Sequence, residues 1–230
     1  MPAAPPDAPL AWLRWLASTD HPWVRFAREV LSSAVVVLLV GALLFAISGV
    51  WPPLVAVESG SMEPHMFEGD LVFVMDEGRL VPEAAVHGTG VVTYRAGKAA
   101  GYRTFGSYGD VIVFDPPAEA GPPIIHRARF WVDAGENWYD RADPAYIRAS
   151  RCGDSPDENL PNCPAPHAGF ITRGDANNLY DQVSGIGAGP VRTSWIKGTA
   201  EVRIPYLGYV RLMFAEWAGG LLAPMPGLAG

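Results

Sequence analysis

GDLVFV (Gly69–Val74) and GDVIVF (Gly109–Phe114) open alike, with a Gly-Asp pair followed by four residues drawn from Leu, Val, Ile and Phe. Gly and Asp favour turns, and a short apolar run rich in β-branched and aromatic residues reads as a buried strand rather than a helix. Working outward, PIIHRARFWVD (Pro123–Asp133), GFITRGD (Gly169–Asp175) and IKGTAEVRIP (Ile196–Pro205) have the same character. Short strands separated by Gly, Asp and Pro predict a mostly β domain. Ala134-Gly135-Glu136-Asn137 reads as a hairpin turn leading to a further strand at Trp138-Tyr139.

The N-terminal quarter differs. From Val30 to Val57 no side chain is charged, and VLSSAVVVLLVGALLFAISGV (Val30–Val50) is apolar on every face. As a helix it would span roughly 31 Å, the thickness of a bilayer's hydrocarbon core, and it is longer than the apolar part of a cleavable signal. Pro52 and Pro53 are expected to stop that helix, since neither offers a backbone N–H. Arg14, Arg25 and Arg28 precede the segment, whereas Glu58, Glu63, Glu68 and Asp70 follow it. Positive flanks stay inside, so the N-terminus is expected in the cytoplasm and everything after Trp51 outside it. The stretch before the span carries Trp12, Trp15 and Trp23 and reads as an interfacial segment.

A net charge of −7 leaves no basic surface to displace counterions from a phosphate backbone, which excludes nucleic acid as a partner. Two stretches break the strand rhythm: about 77–107, rich in Gly and Ala, and about 140–168, rich in Pro, Asp and Arg. Stretches this long inside a compact domain are usually functional or mobile insertions. The second holds both cysteines, Cys152 and Cys163. On the outer face of a membrane such a pair reads as a disulfide, with two free thiols or a metal site completed by His167 as the alternatives. No metal-ligand spacing is present, and no cofactor is expected.

A serine hydroxyl becomes a useful nucleophile only beside a base. The chain has two lysines, Lys98 and Lys197, and five histidines. His126 stands out because Ile124 and Ile125 before it place it on a rigid strand; taken alone, such a histidine more often reads as structural. Asp175 and Asp181, in RGDANNLYDQ (Arg173–Gln182), are the carboxylates that could orient it, although Asp beside Gly and Asn also caps turns.

Taken together, SGSMEP (Ser59–Pro64) directly after a single apolar segment, then GDLVFV, GDVIVFDP, IIHR, TRGDANN with a trailing Asp, and IPYLGYV, resemble the type I signal peptidases in block order. The resemblance implies a signal-peptidase-like β-fold catalytic domain on an N-terminal transmembrane helix. It further implies a membrane-anchored serine endopeptidase that removes signal peptides from preproteins. Histidine at the position of the bacterial lysine places the likeness on the archaeal and endoplasmic-reticulum side. By position, Ser61 matches the nucleophile, His126 the general base, and Asp181 and Asp175 the acidic residues, with Asp181 the better match to the triad member. Ser59 and the Ser61 N–H match the oxyanion-stabilising pair, and Gly60 would allow a substrate backbone close approach. Ala176, where the family more often runs Gly-Asp-Asn, leaves open which Asp meets His126.

The substrate is expected to add as an extended strand between Val55–Ser59 and either Asp110–Phe114 or Ile124–Arg127, with small pockets selecting residues such as Ala. The partners implied are preprotein signal peptides and the lipid bilayer, with the protein translocation machinery as a further candidate. The expected divisions are 1–28, an N-terminal segment; 29–51, the anchor; 52–210, the catalytic domain; and 211–230. That last run is too interrupted by Arg211, Glu216 and Pro224 to separate a second span from a membrane-resting segment. The competing reading is a non-catalytic anchored β-domain that binds partners at the outer membrane surface.

Overall fold

The computed structural model of the chain describes residues 19–117, 121–153, 160–186 and 189–213. The chain divides into two units, Met1–Ile47 and Ser48–Gly230.

The first unit is built on α1 (Pro22–Ser48), 27 residues long and therefore about 40 Å. Proline at its first position loses nothing, because the first N–H groups of a helix have no intrahelical acceptor. The helix begins seven residues before the expected anchor and takes in Trp23, Arg25 and Arg28; Arg25 pairs with Glu29 at 3.1 Å. Its C-terminal end is set by Gly49, at φ +82°, a left-handed conformation that glycine adopts without steric cost. The expectation that Pro52 and Pro53 stop the helix is therefore corrected: the stop comes before them. Apolar side chains such as Val37 and Leu38 are about 70% exposed, and the helix is long and apolar enough to cross a membrane. Residues 1–18 of the expected interfacial segment lie outside the described residues, as does the C-terminal run beyond 213.

The second unit is mostly β. Its main sheet is antiparallel throughout, in the order β1-β2-β8-β5-β6-β7. The strands are β1 (Leu54–Ala56), β2 (Leu71–Met75), β5 (Val111–Phe114), β6 (Ile124–Val132), β7 (Gly169–Arg173) and β8 (Ile196–Ile204). The two Gly-Asp runs become β2 and β5, separated in the sheet by β8. Val55, Val57, Met62, Met66, Val72, Val74, Val111, Val113 and Ile125 form one buried cluster. It brings β1 and the loop after it against β5 and β6, strands far from β1 in the sheet order. Burying each such side chain contributes roughly 1.5–3 kcal/mol, so this cluster fixes where the loop sits.

No strand forms at Trp138-Tyr139. Trp138 is fully buried and leads a 3₁₀ turn (Tyr139–Arg141), while β6 takes β7 as its partner. Neither insertion is bare loop. The first contains α2 (Tyr94–Ala100), whose N-cap Thr93 accepts from the Ala96 N–H at 3.2 Å, and a small hairpin of β3 (Arg103–Thr104) and β4 (Ser107–Tyr108). The second packs its own cluster, with Trp138, Leu160, Cys163 and Ala165 against Phe130, Ile171 and Tyr180.

Candidate active site

Ser61 is carried by a 3₁₀ turn (Gly60–Met62). The turn is pinned from below by Met62 and Met66, both fully buried, and by bonds from the His65 and Met66 N–H groups to the Met62 carbonyl, each 3.0 Å. Pinned from the side, the Ser61 carbonyl accepts the Ala176 N–H at 2.9 Å. Gly174 makes that approach possible: a Cβ there would lie 2.6 Å from the Ser61 carbonyl oxygen.

His126 sits on β6 opposite Ile112 and is buried. Its Nε2 lies 3.1 Å from Ser61 Oγ, and its Nδ1 lies 2.7 Å from Asp181 Oδ2. Asp181 is fully buried at the start of the one-turn helix α3 (Asp181–Ser184), and its Oδ1 has no hydrogen-bond partner among the described residues. Because an ionised carboxylate only accepts, the contact requires the hydrogen on Nδ1 and leaves Nε2 as acceptor for the serine hydroxyl. Ser59, extended at φ −152°, directs its hydroxyl to within 3.3 Å of Ser61 Oγ.

Asp175 is brought to the same region but not to His126. It accepts from Arg127 Nε at 2.9 Å and Nη2 at 2.6 Å, and His65 Nδ1 lies 2.8 Å from its Oδ2. Burial works to raise its pKa, yet the Arg127 hydrogen bonds and charge, joined by His65, outweigh burial and hold the carboxyl below its ordinary value. Arg127 is itself fully buried, and its Nη1 donates to the Gly109 carbonyl at 2.7 Å. Sequence reasoning missed Arg127, His65 and the Ala176 N–H. The first two had a signal, an ionisable residue beside each assigned catalytic block, whereas a backbone donor has none.

The serine opens onto a cavity of about 600 Å³ lined by Ala56–Ser59 and Met62 on one side and Pro122–His126 on the other, with Asn177 and Ile186. Ladder bonds explain its position. β1 pairs only with β2, and β6 gains its β7 partner only from Arg127 onward, so β1 and Ile124–His126 each face the cavity with an unpaired edge. Asp110–Phe114, one of the two strands expected to receive substrate, is excluded. β5 is paired on both sides, with β6 along Val111–Phe114 and with β8 along Ile112–Phe114, so it offers no open edge to a substrate strand.

Cys152 and Cys163 are joined in a disulfide, which removes both thiolates from any metal site with His167. Among the described residues no three His, Cys, Asp or Glu side chains are grouped to hold a metal ion.

No protein-family model matches the chain. It is 29% identical over 167 residues to the signal peptidase complex catalytic subunit SEC11 of Arthroderma otae (strain ATCC MYA-4605 / CBS 113480), a match covering 71% of this chain and 68% of that protein. The block resemblance and this similarity agree: the chain is similar to the catalytic subunit of a signal peptidase complex.

Proposed function

We propose that the protein is a membrane-anchored serine endopeptidase that removes N-terminal signal peptides from secreted and membrane preproteins. The observation that carries this reading is the contact chain from Ser61 through His126 to Asp181 at the mouth of a cleft with two unpaired strand edges. In this mechanism Ser61 Oγ attacks the scissile carbonyl while His126 Nε2 takes the hydroxyl proton. Asp181, holding Nδ1–H and shielded from water, stabilises the imidazolium that forms. The tetrahedral oxyanion is met by the Ser61 N–H and the Ser59 hydroxyl, with Gly60 leaving room for the substrate backbone. Collapse breaks the C–N bond, His126 returns the proton to the leaving amine, and the signal peptide remains as an ester on Ser61. Water, activated by His126, then hydrolyses the ester and restores the serine.

The substrate's extended segment hydrogen-bonds to the free edges of β1 and Ile124–His126, which supply affinity in any sequence. Val57, Met62 and Ile125 beneath the cleft favour small apolar side chains before the cut. Asp175 acts indirectly, by ordering Arg127 and His65. In the proposed topology α1 crosses the bilayer with its N-terminal side in the cytoplasm and the catalytic unit on the far side. The partners are preprotein signal peptides, the lipid bilayer and the protein translocation machinery. A non-catalytic anchored module would have no use for a buried carboxylate, a histidine and a serine hydroxyl in register.

The test is to incubate the membrane-reconstituted protein with a preprotein bearing an Ala-x-Ala site and read the new N-terminus by mass spectrometry. A mature product starting after the second Ala is the expected result. Binding of the preprotein without a new N-terminus would replace this reading with the binding module.

A further inference from the structure

The segment from Gly174 to Asp181 carries both acidic site residues and, through the Ala176 N–H, holds the carbonyl of Ser61. Its two ends are gripped by one residue of the second insertion, Tyr146, which closes a 3₁₀ turn (Pro144–Tyr146). At the near end, the Arg173 guanidinium stacks 3.9 Å from the centre of the Tyr146 ring. The same guanidinium donates through Nη1 to the Asp175 carbonyl at 3.3 Å and to the Asn177 carbonyl. At the far end, the Tyr146 carbonyl accepts the Tyr180 N–H at 3.1 Å, and the two rings meet edge to face with centroids 5.7 Å apart. Tyr180 immediately precedes Asp181, and its hydroxyl accepts the Asp143 N–H at 3.2 Å, from the turn that holds Tyr146.

A guanidinium on an aromatic face is held in its plane and direction, which a flexible cation in water would not be. Arg173 is buried, so its orientation depends on the groups packed around it, and the Tyr146 ring covers one of its faces. Without the ring, the donors that fix the Asp175 and Asn177 carbonyls lose their aim. The Ala176 N–H that holds Ser61 lies between those carbonyls. Tyr180 keeps its ring contacts with Phe130 and Trp138 but loses the one with Tyr146, which loosens the start of α3, where Asp181 meets His126.

We infer that Tyr146 is a positioning residue for catalysis, acting through Arg173 on Ser61 and through Tyr180 on Asp181, and that the second insertion serves as a buttress of the catalytic segment. Tyr146 does not itself line the cleft. The inference rests on the peptidase reading above. A misplacement of about 1 Å at a reacting group can cost on the order of 100-fold in rate.

The experiment compares wild type, Tyr146→Ala, Tyr146→Phe and Ser61→Ala as full-length protein in lipid bilayers. Steady-state cleavage of an Ala-x-Ala preprotein is normalised to the folded fraction measured by calorimetry. The expected result is that Tyr146→Ala lowers kcat roughly 10- to 100-fold with KM within about twofold, and that Tyr146→Phe, which keeps the ring, restores kcat. Wild-type kcat in folded Tyr146→Ala would overturn the inference, as would a loss carried in KM or one not restored by Tyr146→Phe. Ser61→Ala separates the two readings: if it cuts like wild type, the peptidase assignment fails, whereas an inactive Ser61→Ala beside a fully active Tyr146→Ala defeats the buttress alone.

Discussion

Asp181 and Asp175 are six residues apart and of one type, yet their surroundings assign them different work. Asp181 is fully buried, and its carboxylate meets Nδ1 of His126 at 2.7 Å. Asp175 is committed to Arg127 and His65. Asp181→Ala is therefore expected to lower kcat by about 10⁴-fold through loss of the correct tautomer, with Asp175→Ala weakening cleavage less, through displacement of Arg127. Initial cleavage rates of the two variants check this, and full activity in Asp181→Ala would remove it from the triad. The block resemblance favoured Asp181, but the residues by themselves could not make this division, because each aspartate also reads as a turn cap and the deciding group, Arg127, comes from another strand.

Asp110, buried at the start of β5, gives a pH dependence of stability. Burial pushes its carboxyl up to about 6, against the lowering effect of hydrogen bonds from the Val92 N–H and Tyr102, while the charge of Glu201 adds to the rise. The folded state thus holds a proton that the unfolded chain releases near 4. That contribution is fully present below about pH 4 and is lost as pH rises through about 6, amounting to at most on the order of 3 kcal/mol. Asp110→Asn is expected to flatten the fall in melting temperature between pH 4 and 7. An unchanged slope would mean another group sets it.

Among the elements, the strands were the legible part, since β2 and β5 announce themselves by a turn pair and a β-branched run, and His126 inherits its rigidity from β6. Shorter elements were hidden. Thr93 and Gly101 bracket α2, but its interior of Gly, Ala and mixed polar residues has no apolar stripe to mark it. Trp138 looks strand-like in its local sequence, and only tertiary burial against Phe130 and Tyr180 draws it into a 3₁₀ turn. The insertion that follows is a packed lobe closed by the Cys152–Cys163 disulfide. Replacing both cysteines with serine is expected to cost roughly 2–3 kcal/mol, read as a lower denaturant midpoint. A midpoint equal to wild type would show that the lobe is held by its aromatic cluster alone.

Across the whole molecule, one apolar helix and one β unit carry separate tasks, and the sequence announces both by composition. The helix is marked by an absence of charge, the β unit by short runs and turns. The candidate site was legible through the block resemblance, which marks Ser61 and His126 together; taken alone, His126 reads as a structural histidine on a strand. The site was not legible where the chemistry depends on strands distant in sequence, as with the free edges beside the cleft and the Arg127 pairing. The proposed catalysis also depends on that distance, because Ser61 and His126, 65 residues apart, meet only when the loop after β1 packs against β6.

The most direct test is the rate at which wild type, Ser61→Ala and His126→Ala, reconstituted in bilayers, convert an Ala-x-Ala preprotein to mature product. The account predicts that each substitution lowers the rate by at least about 10³-fold, with the double variant no slower than the worse single one, as expected of residues that act as a unit. Cleavage at the wild-type rate by either single variant would contradict it.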